Sequence, residues 1–169
     1  EIPAADRKKL AAKVDALFGT PLAPTVPGGE WAAALNLSPA ELAHGAGVYR
    51  RWCVSCHGPA GGGDGPAATT LVPPPRDYRS GLFKFVSSTP DAGGKPRRDD
   101  LVRVIRKGVD GTAMPPFPDL TDADVSAVVS YVVHLSARGE TEYQAMKRLI
   151  KAAEDADTPE QEATAAAGK

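Results

Sequence analysis

Cys53-Val54-Ser55-Cys56-His57 contains both cysteines of the chain and places a histidine directly after the second. Two thiols three residues apart on a helical turn lie on one face, within reach of the two vinyl groups of a single porphyrin. C-x-x-C-H is the attachment motif of c-type haem, and its histidine projects an imidazole toward the iron as proximal ligand. Two other chemistries compete. C-x-x-C is also the dithiol of thiol-disulfide oxidoreductases, and Trp52 before Cys53 suits that reading. Such a dithiol follows a strand in a βαβ unit, however, and residues 40–52 contain no strand-like run. A structural zinc site takes four Cys or His ligands, whereas the chain has 2 Cys and 3 scattered His.

Length and composition bound what can be built around the motif. The 169 residues allow one domain, or one domain with extensions. Apolar content of 42% is ordinary, but aromatics are only 6%, and 16 Pro with 17 Gly imply a loop-rich core that a planar cofactor would help to fill. A net charge of −1 argues against nucleic acid as a partner. No apolar run approaches the roughly 20 residues of a membrane span. A chain that starts at Glu1 without a signal-peptide apolar region reads as a mature product or an excised fragment.

Residues 1–37 read as an extension. Leu10, Val14, Leu17 and Phe18 form one apolar helix face over about residues 6–18, ended by Gly19. The Pro- and Gly-rich stretch from Pro21 to Gly29 reads as an extended linker, and the helix as a strap packed on the main domain, since short isolated helices are marginal in water. Ser38-Pro39-Ala40-Glu41 is a capping box with Pro at the first helical position, opening a helix that runs to about Trp52. The Gly61-Gly62-Gly63-Asp64-Gly65 loop matches no phosphate-binding pattern. Pro73, Pro74 and Pro75 forbid helix and central strand, and residues 90–98 read as a polar loop. Asp99 or Asp100 opens a helix with Leu101, Val102, Val104 and Ile105, stopped by Gly108. Thr121 caps the next, with Asp122 and Asp124 in its first turn and a stripe of Val125, Val128, Val129, Val132 and Leu135. Glu140 to about Glu154 can form another helix, and from Asp155 the composition reads as disordered. Residues 140–169 carry 7 acidic against 4 basic residues.

Taken with the haem motif, Gly45 eight residues before Cys53, Tyr49 four before it, Tyr131 on the last core helix and Met114 in Gly111-Thr112-Ala113-Met114-Pro115-Pro116-Phe117 resemble class I monohaem cytochromes c. The Gly-Asp-Gly-Pro and Pro-Pro-Pro-Arg-Asp-Tyr stretches resemble the bacterial respiratory type. The resemblance implies an all-α fold wrapped around one covalent haem over residues 38–139, with helical extensions at 1–37 and 140–169. Gly45 would let the first and last core helices cross closely. Cys53 and Cys56 would carry the haem, His57 would be the proximal ligand and Met114 the distal one. Met114, flanked by Thr and two prolines, belongs to no periodic apolar face, although filling a gap in the core is the ordinary role of a lone Met. His44 and His134 are the competing distal ligands. A proline carbonyl would accept the hydrogen bond of His57, with Pro66 first and Pro73 in reserve. Arg76, Tyr78 and Arg79 are candidates for the haem propionates, or else surface residues. Phe83 and Phe85, two apart, would face one side at the haem edge.

The function this implies is one-electron transfer, not catalysis, by a carrier or by the haem domain of a larger respiratory protein. Its redox partners would be other proteins or other domains of the same polypeptide. The expected place is the periplasm or an equivalent extracytoplasmic side, with any membrane anchor outside these residues. A gas sensor or enzyme electron-entry module with a labile distal Met is the alternative. A haem-free dithiol oxidoreductase using Cys53 and Cys56 is the remote one.

Overall fold

The structure is a computed structural model that describes residues 2–89 and 95–157. Among these, six α-helices form: α1 Ala4–Phe18, α2 Glu30–Leu35, α3 Pro39–Trp52, α4 Val54–His57, α5 Arg98–Lys107 and α6 Asp122–Asp157. Short 3₁₀ turns stand at Ala68–Thr70 and Tyr78–Ser80. No strand forms among the described residues; one isolated bridge pairs Gly19 with Pro24. Residues 90–94 of the polar loop and the tail from 158 lie outside the described residues.

The frame is the crossing of α3 and α6. Ser38 Oγ accepts the Glu41 N–H at 3.2 Å, as the sequence predicts for the start of α3. The Glu41 carboxylate does not return to Ser38. It accepts from Ser126 Oγ at 2.8 Å and ties the first turns of the two helices together. At the start of α6 the cap is reciprocal, with Thr121 Oγ1 accepting the Asp124 N–H at 3.1 Å and Asp124 Oδ2 accepting from Thr121 N and Oγ1. His44 Nε2 lies 2.8 Å from Asp124 Oδ1, so this histidine braces the crossing from outside. At the crossing itself a β-carbon on Gly45 would lie 1.9 Å from the Ala127 carbonyl oxygen. Only glycine allows this approach. It brings Tyr49 and Tyr131 together at 5.1 Å between ring centroids and buries Leu42, Ala46, Val128, Val129 and Leu135 completely.

The last core helix does not stop near Gly139. It continues as one helix of 36 residues to Asp157, so the expected boundary between 139 and 140 falls inside a helix. Gly139 serves a close approach instead, since a β-carbon there would lie 2.4 Å from the Arg79 Cα. No proline occurs between Gly139 and Asp157, so nothing there prevents the hydrogen-bond ladder from continuing.

α1 packs against the second half of α6 through Leu10, Val14 and Phe18, which meet Ala137, Ala145 and Met146. Leu17, expected on the same face, is 49% exposed. One neighbouring helix covers only the narrow i, i+4, i+8 stripe. The stretch after α1 is fastened rather than free. Tyr131 Oη donates to the Pro21 carbonyl at 2.8 Å, Arg138 Nη1 to the Gly19 carbonyl at 2.7 Å, and Arg138 Nη2 pairs with Asp15 at 2.8 Å. His134 Nε2 stands 3.0 Å from both the Phe18 and Thr25 carbonyls. α2, which the sequence pattern did not reveal, is anchored by Arg98, whose guanidinium donates to the Leu35 and Asn36 carbonyls and to Ser130 Oγ.

α5 begins at Arg98, one residue earlier than expected, and Asp100 reaches back from its first turn. The Asp100 carboxylate accepts from Ser87 N, Ser87 Oγ and Arg97 N, and pairs with Arg103. These bonds, that from Ser87 N foremost, hold its carboxyl at about 2 against the effect of burial. They also pin the irregular 83–88 segment onto α5.

Two outcomes follow from this frame. Gly45→Ala should lower the stability of the haem-loaded protein by about 1–3 kcal/mol or more, read as a fall in Tm of roughly 3–10 °C. His134 Nδ1 is buried without a partner, and burial first, with the Arg138 charge adding to it, holds the imidazole below its ordinary value. The fold therefore favours neutral His134, and its contribution is complete above the unfolded value of about 6.5 and lost as pH falls below it. In chemical denaturation from about pH 7.5 to 5, the stability of wild type relative to His134→Gln should decline with falling pH. A pH-independent difference contradicts this.

Candidate functional site

α3 hands the chain directly to the thiol motif. Cys53 closes α3, its N–H donating to the Tyr49 carbonyl at 2.8 Å, and a second turn follows at once, with the His57 N–H on the Cys53 carbonyl at 2.9 Å. Tyr49 Oη donates to the Gly58 carbonyl at 2.9 Å and fixes the end of this turn from inside. Cys53, Cys56 and His57 thereby reach one cavity of about 480 Å³, a size typical of small-molecule and cofactor sites. Its walls are largely apolar, with Pro73, Pro74 and Pro75 on one side and Leu101, Val104, Ile105, Val128 and Val132 from α5 and α6. Met114, from the loop after α5, lines the same cavity.

The electrostatics suit ligation. His57 is 9% exposed. Burial lowers its imidazole below the ordinary value, only partly offset by the bond to Arg76, and so favours the neutral form that binds metals. Its Nδ1 lies 3.2 Å from the Arg76 carbonyl. With the proton on Nδ1 donated there, Nε2 keeps the lone pair. Burial, with the neighbouring Cys56 adding to it, pushes the Cys53 thiol up to about 12. A dithiol nucleophile needs the opposite shift.

The structure sorts the remaining candidates. Pro66 does not take the His57 hydrogen bond. It is exposed on a loop that folds back over the outside of α4, where Ala67 N donates to the Ser55 carbonyl at 2.9 Å, and it does not line the cavity. Pro73 lines the cavity but makes no such bond either; the acceptor is Arg76, directly after the proline run. Tyr78 is buried and stacks on His57 at 4.7 Å, and Phe83 stacks on Tyr78 at 5.7 Å; both line the cavity. Phe85 lines it too, but in a left-handed conformation with φ 60° and 61% exposed, so the pair is not set by strand alternation. Arg79 turns away and forms a two-pronged pair with Asp77. Neither His44 nor His134 lines the cavity. Sequence reasoning missed Trp52, Lys84 and Thr112 as lining residues. Trp52 sits next to the motif and was legible as such; the other two carry no periodic signal.

The profile of the family described as cytochrome C oxidase, cbb3-type, subunit III, matches residues 40–132. The chain belongs to this family. Residues 40–132 are accordingly a class I-like monohaem cytochrome c domain, which carries haem c covalently and serves haem-based electron transfer. The cavity fits that group, since it offers two thiols on one turn, a neutral imidazole, a thioether and apolar walls. c-type cytochrome domains work on the extracytoplasmic side, and among the described residues no helix is long and apolar enough to cross a membrane. The domain is also similar to a chain of the Kuenenia stuttgartiensis reducing HAO-like protein complex, with 33% identity, 55% of this chain and 41% of that chain covered, and a TM-score of 0.48. The match therefore spans less than half of that chain's length. No curated protein matches the chain.

Proposed function

We propose that this domain is a one-electron carrier, not an enzyme, whose iron is held between His57 and Met114. The observation that carries the reading is that Cys53, Cys56, His57 and Met114 line one cavity although they come from two separate parts of the chain. When bound, the haem supplies a one-electron iron couple within an apolar shell. Cys53 and Cys56 fasten it. His57, oriented by the Arg76 carbonyl, gives Nε2 on the proximal side, and that hydrogen bond strengthens the imidazole as a donor. Met114 gives a thioether on the distal side, which raises the reduction potential. With His57 and Met114 both holding the group, a substrate would have to displace Met114, which is why carrier is favoured over catalyst.

Arg76 and Tyr78 line the cavity and are the residues we assign to the propionates. Phe83 and Phe85 flank the same region as its aromatic edge. Residues 38–139 act as the haem domain, with 1–37 as an extension fastened to it through α1 and 140–169 as one whose described part, to Asp157, continues α6. Its partners are redox proteins or other domains of the same polypeptide, on the periplasmic side, in a respiratory setting. The covalent attachment of haem, which takes place outside the cytoplasm, supports the periplasmic or equivalent extracytoplasmic placement, and the Gly-Asp-Gly-Pro and Pro-Pro-Pro-Arg-Asp-Tyr stretches the respiratory setting.

Absorption spectra of the haem-loaded protein test the ligation. Wild type should show a sharp reduced α band and a ferric Met-to-iron charge-transfer band. Met114→Ala should lose the charge-transfer band, bind carbon monoxide readily in the reduced state, and lower the potential by on the order of 0.1 V, a fraction of the roughly 0.8 V that axial ligation spans. Rapid carbon monoxide binding by wild type at neutral pH would instead favour a gas-binding site with a labile methionine.

A further inference from the structure

We infer that Thr112 is the positioning residue that keeps Met114 in place, and that its hydroxyl sets how easily an added ligand displaces the methionine. The inference rests on Met114 being the distal ligand. α5 ends at Gly108, where φ is 69° and a β-carbon would lie 2.7 Å from the Met114 carbonyl oxygen. The loop that follows closes on itself. Val109 N donates to the Met114 carbonyl at 3.1 Å, and Thr112 N to the Val109 carbonyl at 3.1 Å. Inside this ring the Thr112 hydroxyl is used twice, donating to the Val109 carbonyl at 2.8 Å and accepting the Met114 N–H at 3.2 Å.

Little else holds the methionine. Ala113, Pro115 and Pro116 are exposed, and Met114 itself is only half-buried. Packing, the usual source of positional precision, is therefore thin on both sides of it. Pro115 and Pro116 have no N–H, so beyond Met114 the next backbone donor that ties the loop down is Phe117, on the Ile105 carbonyl at 3.1 Å. Among the described residues, the N–H of Met114 has the Thr112 hydroxyl as its partner and no other. Without that hydroxyl the methionine's own backbone is held through its carbonyl alone. A net hydrogen bond shifts an equilibrium by up to about tenfold, and here the equilibrium is between methionine on and off the iron.

The test is imidazole titration of the ferric haem-loaded protein, followed through the Soret band in all variants and also through the Met charge-transfer band where Met114 is present, in wild type, Thr112→Val, Thr112→Ser, Met114→Ala and the Thr112→Val/Met114→Ala double variant. Thr112→Val, which matches threonine in shape, should bind imidazole about tenfold more tightly while keeping its covalent haem and losing no more than about 5 °C in Tm, the scale of one hydrogen bond. Thr112→Ser should restore affinity to within about twofold of wild type. In the Met114→Ala background the Thr112→Val change should have no effect. If Thr112→Val fails to load haem, Thr112→Ala carries the same expectation. Unchanged imidazole affinity in Thr112→Val overturns the proposal, as does a tenfold gain that persists without Met114, which would mean general loosening of the pocket. A wild-type protein that lacks the band, and whose imidazole affinity Met114→Ala leaves unaltered, overturns the Met114 reading itself and the proposal with it.

Discussion

The contact between Gly45 and the Ala127 carbonyl is the constraint on which the rest of the molecule depends. A side chain of any size at position 45 would force α3 and α6 apart, and three consequences would be lost together. Tyr49 and Tyr131 would no longer pack, so Tyr49 could not hold the Gly58 carbonyl that ends the His57 turn. The α6 stripe of Val128 and Val132 would retreat from the cavity it lines. The paired caps at Ser38 and Thr121, joined through Glu41 and Ser126, would lose their register. A single missing β-carbon thus links core packing to the position of the motif.

The cavity is built from unlike materials. Two helices supply a firm apolar wall, while irregular chain from Pro73 to Phe85 closes one side of the cavity and the loop that carries Met114 another. Irregular chain needs its backbone groups satisfied from outside, and the structure meets this with a few anchoring side chains. Asp100 and Arg103 hold the 85–87 backbone, and the Thr112 hydroxyl holds the Met114 loop. The same solution appears at the N-terminal strap, where Tyr131, His134 and Arg138 of α6 take carbonyls from residues 18–25. Helix faces thus position loops here more by side-chain hydrogen bonds to backbone than by burial.

This division explains what could be read from the sequence. The all-α frame was legible because caps and 3.6-residue stripes are local signals, as at Ser38–Glu41 and Val125–Leu135. The four residues that meet at the cavity were legible because C-x-x-C-H is contiguous and Met114 stands apart from any helix face. The acceptor for His57 was not, because a backbone carbonyl has no residue signature; the proline run pointed to the right neighbourhood, and Pro66 was one loop too early. The join between the last core helix and the Glu140 helix was not legible as continuous, because Gly139, which serves a close approach to Arg79, carries no local signal for it. Leu17 was placed on a buried face because the stripe was drawn wider than one neighbouring helix can cover.

The most direct measurement is a crystal structure of the haem-loaded protein at a resolution that defines the iron ligands. The account predicts thioether bonds at Cys53 and Cys56, His57 Nε2 and the Met114 sulfur on opposite sides of the iron, and His57 Nδ1 still on the Arg76 carbonyl. A five-coordinate iron, or a distal position taken by water or by a side chain other than Met114, would contradict it.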